Sequence, residues 1–158
     1  MTSPSIPKSQ SRRSNNWQTV STLKTKRIFF CAQALRHIAC RMGYDILYTK
    51  AAKMFRHLNG GRADNSWEMR IKRHTVKNLL IIDDFGLKPL IHLQSYDFYE
   101  VINERYMKKS VIFTSNRSIE DWQGLFPDPL FPNSALDRVA HNSHQVVMTG
   151  ESYRNRGK

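Results

Sequence analysis

Two adjacent carboxylates, Asp83 and Asp84, follow the aliphatic run 79–82 and precede Gly86. A short unbroken aliphatic run predicts a β-strand that is covered on both faces, as in the parallel sheets of α/β proteins. Ligands of such sheets bind at the carboxyl ends of the strands. There, one carboxylate can ligate Mg²⁺ while the other orients an attacking water, which is the Walker B arrangement of nucleotide hydrolases. The alternative is a strand that ends in an Asp-rich turn, in which Asp84 only caps the next segment.

A second strand-like run, 110–116, ends in small polar side chains, the last of which is Asn116. The amphipathic segment 93–106 lies between the two runs and predicts a helix. Strands that alternate with helices predict a parallel, doubly wound α/β sheet with right-handed crossovers. Because the carboxyl ends of parallel strands meet at one edge, we expect Asn116 beside Asp83 and Asp84. We also expect strands at 44–49 and 145–149, and helices at 29–42 (ended by Gly43), 51–58 (ended by the glycines at 60 and 61), 66–76 and 134–141, with a proline-rich loop before the last.

The chain has 158 residues, 40% of them hydrophobic, which fits one domain with a sizeable core. Its formal net charge is +12, and the first 30 residues carry no acid but six bases, namely Lys8, Arg12, Arg13, Lys24, Lys26 and Arg27. Clustered Lys and Arg favour a polyanionic partner, nucleic acid before an anionic membrane, because binding releases counterions. The alternative is a solvated basic tail, and we expect disorder at residues 1–16.

The cysteine and histidine spacing gives no sign of a metal centre. Cys31 and Cys40 form no C-x-x-C pair, which favours a reducing, cytoplasmic location. His141 and His144 have a spacing that can chelate a metal, but no third ligand is evident, so we favour a non-metal role. No apolar run approaches the ~20 residues of a membrane span, and no signal-peptide core is present, so we expect no membrane partner.

Five motifs stand out along the chain: Ile-Ile-Asp-Asp-Phe-Gly at 81–86, Tyr-Glu-Val-Ile-Asn-Glu-Arg-Tyr at 99–106, Thr-Ser-Asn at 114–116, Ala-Leu-Asp-Arg at 135–138 and Gly-Glu-Ser-Tyr-Arg at 150–154. Together they resemble the IstB-type helper ATPases of bacterial insertion sequences, which are AAA+ ATPases, over residues 32–154. The resemblance implies a three-layer P-loop NTPase fold with a RecA-like parallel sheet, here incomplete at the N-terminus. It also implies ATP and Mg²⁺ as cofactors, DNA and a transposase or helicase as partners, and a homo-oligomer.

The resemblance also implies roles for individual residues. It assigns Asp83 to the Mg²⁺ shell, Asp84 to orienting the hydrolytic water and Asn116 to the sensor position. Arg138 matches an arginine finger that acts on ATP held by a neighbouring subunit, and Arg154 could be a second phosphate sensor. The alternatives are that Asn116 only caps a turn and that Arg138 only pairs with the aspartate before it or with another nearby acid.

The phosphate loop of the family is missing. In relatives, G-x-x-x-x-G-K-[ST] precedes the helix that begins here near Phe29, and its amides and Lys hold phosphates. The equivalent residues, 22–29, contain no glycine; Ile28 stands at the Lys position and Phe29 at the hydroxyl position. Residues with a side chain also resist the positive φ angles of a phosphate-wrapping loop. We therefore expect weak nucleotide binding and no catalysis.

The break in the resemblance suggests three regions: a basic, non-homologous or disordered segment at 1–28, an AAA+ core without its phosphate loop at 29–154, and a tail at 155–158. We expect that a frameshift or rearrangement replaced the family's N-terminus. The first hypothesis is a degenerate IstB-like ATP-binding protein that assists transposition or helicase loading. The alternatives are a non-catalytic basic module that binds DNA or a partner on the same scaffold, and a gene remnant without function.

In this class of fold, the strand before the phosphate loop lies in the middle of the sheet. Residues 17–21 are the candidate for that strand here. Gln18, Thr19 and Ser21 make it too polar for a good buried strand. We therefore expect a weakened core and low thermal stability.

Overall fold

The computed structural model describes Thr19–Ser21 and residues 37–128, 130–141 and 143–146. In chain order the elements are β1 (Thr19–Ser21), β2 (Ile46–Lys50), α1 (Ala51–Ala63), α2 (Trp67–Thr75), β3 (Leu79–Phe85), α3 (His92–Arg105), β4 (Ser110–Ser115), a 3₁₀ helix (Glu120–Leu125), α4 (Leu130–His141) and β5 (Ser143–Gln145). Residues 37–41 are also helical, and Gly43, with φ +78°, follows them as expected.

The strands form one parallel sheet with the order β2-β3-β4-β1-β5. This confirms the predicted α/β class with a parallel sheet. β1 lies inside the sheet between β4 and β5, where Val20 pairs with Ile112 of β4 and with His144 of β5. The candidate strand therefore joins the sheet through its described residues, Thr19–Ser21. The sheet thus contains the strand that was predicted to precede the family's phosphate loop.

The predicted end of α1 was wrong. The helix continues through Gly60 and Gly61 to Ala63. A Cβ on Gly61 would come within 2.8 Å of the Trp67 Cα. Gly61 therefore allows α2 to approach α1 closely. Its presence reflects this helix packing and does not mark the end of α1.

The predicted start of the last helix was also wrong, because α4 begins at Leu130. Pro132 lies in its first turn, where a missing N–H group costs no intrahelical bond. The last strand, predicted at 145–149, is observed as Ser143–Gln145; residues 147–149 lie outside the described part.

The two faces of β3 bury different side chains. Leu80, Ile82 and Phe85 belong to the main core, in which Phe85 packs 4.4 Å from Trp122 between ring centroids. Ile81 faces the opposite side and forms a smaller apolar cluster with Ile112, Ile46, Leu79 and Tyr48. Because strand residues alternate between faces, Asp83 lies on the same face as Ile81.

Helix α3 carries two buried charged side chains, Asp97 and Arg105. Asp97, fully buried, accepts hydrogen bonds from both Nη atoms of Arg62 and from the Trp67 indole. Arg105 is 1% exposed and donates to backbone carbonyls at the amino ends of β3 and β4. The Asp97 contacts hold α3 to α1 and α2, and the Arg105 contacts hold it to the amino ends of the two strands.

Candidate functional site

The carboxyl ends of β3 and β4 form the edge at which the predicted acids lie. The two strands pair regularly up to Ile82 and Phe113, and then the register shifts before Phe85 meets Ser115. Within this bulge Asp84 has a φ of +57°. Its N–H donates to Thr114 Oγ1 at 3.0 Å. The irregular backbone separates the surroundings of the two neighbouring carboxylates, so that one is buried and the other half-exposed.

Asp83 is buried and hydrogen-bonded at both carboxylate oxygens. The Tyr48 hydroxyl donates to Oδ2 at 2.5 Å, and the Thr114 hydroxyl donates to Oδ1. Tyr48, Asp83 and Thr114 come from three adjacent strands and lie on one face of the sheet. Two donors satisfy a carboxylate that would otherwise be costly to bury.

Asp84 contacts solvent and pairs with a lysine at the end of the neighbouring strand β2. Lys50 Nζ lies 2.9 Å from Asp84 Oδ2, and the two side chains are 56% and 43% exposed. The hydrogen bond and charge of Asp84 raise the pKa of Lys50. An ion pair this exposed contributes little to stability. The carboxylate is therefore accessible to a ligand that can compete with an ammonium group.

The β4 end is tied to the β3 end by hydroxyl and guanidinium contacts. Ser115 Oγ donates to the Phe85 carbonyl at 2.8 Å, and Arg117 Nε donates to the Gly86 carbonyl at 2.7 Å. Gly86 has a φ of +79°, and a Cβ there would lie 2.9 Å from Leu125 Cδ1. Asn116 follows Ser115 and is exposed. The structure thus brings Asp83, Asp84 and Asn116 to one edge, at the ends of adjacent parallel strands.

Arg138 lies elsewhere in the described part of the chain. It donates to Asn103 Oδ1, and its guanidinium carbon lies 5.7 Å and 5.5 Å from the ring centroids of Tyr99 and Tyr106. Its contacts are therefore with α3 and its flanking turn. Arg154 and the phosphate-loop equivalents at 22–29 lie outside the described residues. His141 and His144 are exposed, and no group of three or more potential ligands occurs within the described part.

The side chains at this edge of the sheet fit Mg²⁺ better than they fit ATP. Mg²⁺ prefers oxygen donors and is bound through one or two carboxylates together with phosphates and waters, which Asp83 and Asp84 fit. A triphosphate additionally needs cations and backbone amides. Ile28 and Phe29 supply neither an ammonium group nor a hydroxyl, and Lys50 already pairs with Asp84. The phosphate-loop residues therefore do not fit ATP in the manner of the family.

Comparison with solved structures defines the fold as that of an AAA+ P-loop NTPase. The chain matches the DnaC helicase loader with a TM-score of 0.67 and 14% identity, over 85% of this chain and 80% of that one. It matches DnaI with a TM-score of 0.71 and 13% identity, over 85% and 75% of the two chains. At this identity the likeness concerns the fold alone.

The sequence identifies the family. The chain belongs to the family described as IstB-like ATP binding protein, which matches residues 23–158. It is 44% identical over 126 residues to a putative ATP-binding protein in an insertion sequence of Mycobacterium tuberculosis (strain ATCC 25618 / H37Rv), covering 79% of this chain and 50% of that protein. The predicted family is confirmed, and the match extends beyond the predicted range 32–154. The chain spans about half the length of the insertion-sequence relatives that it matches.

Sequence reasoning missed three residues of the site: Tyr48, Lys50 and Thr114. Thr114 lies inside the Thr-Ser-Asn motif, so its position at the edge could be predicted from the sequence. Its hydrogen bonds with the two aspartates could not. The sequence gave no indication that Tyr48 and Lys50 belong to the site, because only the β2–β3 register places Lys50 opposite Asp83.

No helix of the described part is long and apolar enough to cross a membrane.

Proposed function

We propose that this chain is an IstB-like accessory protein of DNA transposition that keeps the Walker B edge but binds ATP weakly and does not hydrolyse it. The observation that carries the proposal is the contrast between the two halves of the site. Asp83, Asp84 and Asn116 lie at adjacent strand ends, whereas residues 22–29 lack both glycines, the lysine and the hydroxyl of the phosphate loop. Helicase loading is the related activity that the fold also suits.

In this proposal the residues keep the roles of the family's motifs. With ATP bound, Asp83 would hold Mg²⁺ and Asn116 would sense the phosphate, while Asp84 keeps the place from which the motif orients the attacking water, although hydrolysis does not follow without the phosphate loop. Arg138 acts on a neighbouring subunit of a homo-oligomer, for which it must leave Asn103 and the two tyrosine rings, and Arg154 contacts phosphate. The absent phosphate loop removes most of the affinity that would bring ATP to these groups.

Titration of the full chain with Mg-ATP tests the proposal. We expect negligible affinity for the unaltered chain and for an Asp83→Ala variant. A variant with Thr22→Gly, Arg27→Gly, Ile28→Lys and Phe29→Thr restores the loop pattern, and we expect it to bind at least about tenfold more tightly. Asp83→Ala added to the restored loop should remove that gain. Tight, Asp83-dependent binding by the unaltered chain would contradict the proposed loss.

A second candidate function is binding of DNA or another polyanion without catalysis. The charge of α1 and α2 favours it, because Lys53, Arg56, Lys72 and Arg73 are exposed on these two helices. Together with the six basic residues of the first 30, they provide phosphate contacts. Gel-shift measurements at rising salt test this function. Binding should weaken steeply with salt and be indifferent to ATP; salt-independent or ATP-dependent binding would exclude a purely electrostatic module.

A further inference from the structure

The Tyr48 side chain has two different surroundings. Its ring packs in the smaller apolar cluster with Ile46, Leu79 and Ile81, for which a phenylalanine would serve as well. Its hydroxyl, in contrast, donates to Asp83 Oδ2. The bond to the buried Asp83 carboxylate is the contact that a phenylalanine at this half-buried position could not make.

The carboxylate of Asp83 is held from both sides. Thr114 donates to Oδ1 from β4, and Tyr48 donates to Oδ2 from β2. Each carboxylate oxygen has two acceptor sites, and among the described residues one site on each oxygen accepts a hydrogen bond and the other does not. Two donors on opposite sides fix the rotation of the carboxylate plane, which a single donor would leave free to turn.

We propose that Tyr48 is a positioning residue for Asp83: its hydroxyl, opposed by Thr114, fixes the carboxylate plane and so sets the affinity of Asp83 for a divalent cation. The inference rests on the proposed role of Asp83 as a metal ligand. Hydrogen-bond partners of metal ligands typically change affinity by a factor of about 10–100. Tyr48 itself is not a ligand, since its proton is directed at the carboxylate.

Infrared spectroscopy of the full chain tests the positioning directly. The difference between the unaltered chain and Asp83→Asn, with carboxyl-labelled aspartate, identifies the carboxylate stretch of Asp83. We expect this band to shift in Tyr48→Phe and in Thr114→Val, and to return in Thr114→Ser, which keeps a hydroxyl. Tyr44→Phe, which removes a phenol outside the Asp83 contact, is the matched control and should leave the band unchanged. An unshifted band in Tyr48→Phe would overturn the inference, whatever the metal binding.

Binding of Mn²⁺, followed by electron paramagnetic resonance, tests the consequence. We expect Tyr48→Phe to weaken Mn²⁺ binding about 10–100-fold, Tyr44→Phe to have no effect, and Tyr48→Phe to add nothing once Asp83→Asn is present. Equal or tighter binding by Tyr48→Phe would overturn the positioning role. If the band shifts but Mn²⁺ binding does not depend on Asp83, the metal role of Asp83 fails together with the cation part of the inference, and only the orientation of the carboxylate remains.

Discussion

Replacement of Arg105 by methionine tests how α3 is attached to the sheet. The guanidinium is 1% exposed and donates to the carbonyls of His74, Lys77 and Ser110 at 2.9, 2.9 and 2.5 Å. Two longer bonds, of 3.2 and 3.3 Å, reach Thr75 and Asn78. No acid takes part in any of these contacts, so the side chain acts only through carbonyl acceptors.

The expected loss follows from two opposing contributions. Hydrogen bonds to a charged group contribute about 2 kcal/mol each, so the three short bonds give roughly 6 kcal/mol. Burial lowers the pKa of Arg105 to about 10, which corresponds to a desolvation cost of about 3 kcal/mol. The net expectation for Arg105→Met is a loss of about 3 kcal/mol, which lowers the Tm by roughly 6–12 °C for a chain of this size.

Urea and thermal denaturation followed by circular dichroism measure this loss. Arg105→Lys keeps the charge but not the planar guanidinium, and we expect its stability to lie between those of the unaltered chain and of Arg105→Met. Lys108→Met is the matched control, because that side chain is 65% exposed and only reaches Glu104 at 3.8 Å; its effect should stay within about 0.5 kcal/mol. An Arg105→Met midpoint equal to that of the control would refute the reasoning.

Three further predictions concern acid sensitivity, helix packing and overall stability. Burial lowers the pKa of His74 from 6.5 to about 4, so between these values the unfolded chain binds more protons, and the urea midpoint should fall as the pH is lowered from 6.5 towards 4. His74→Leu should flatten that dependence, and an unchanged slope would contradict it. Gly61→Ala should destabilise by about 1–3 kcal/mol because its Cβ meets the α2 backbone, whereas Gly124→Ala, with nothing within 4 Å, should be nearly neutral in the same urea titration. The polar residues Gln18, Thr19 and Ser21 of the candidate strand predict a low Tm, and a cooperative transition well above ~65 °C would show that the core is not weakened.

The strand ends of the site were predictable because they depend on local pattern and parallel topology. An aliphatic run followed by Asp83 and Asp84 already specifies a buried strand with acids at its carboxyl end. A second run that ends at Asn116 then places an amide at the same edge, whatever the details of packing. Glycine and proline signals were less reliable. Gly61 marked a close helix contact and Pro132 a first helical turn, since both residues have more than one structural use.

The sequence by itself determined the α/β class, the family and the acids at the strand ends, because periodicity and motif order are local properties of the chain. The tertiary structure alone decided which groups surround those acids. The β2–β3 register brought Tyr48 to Asp83, and Lys50 reached Asp84 across the same pair of strands. The burial of Arg105 and Asp97 was likewise decided by packing, because a charge is stable inside a protein only where distant segments supply its hydrogen-bond partners.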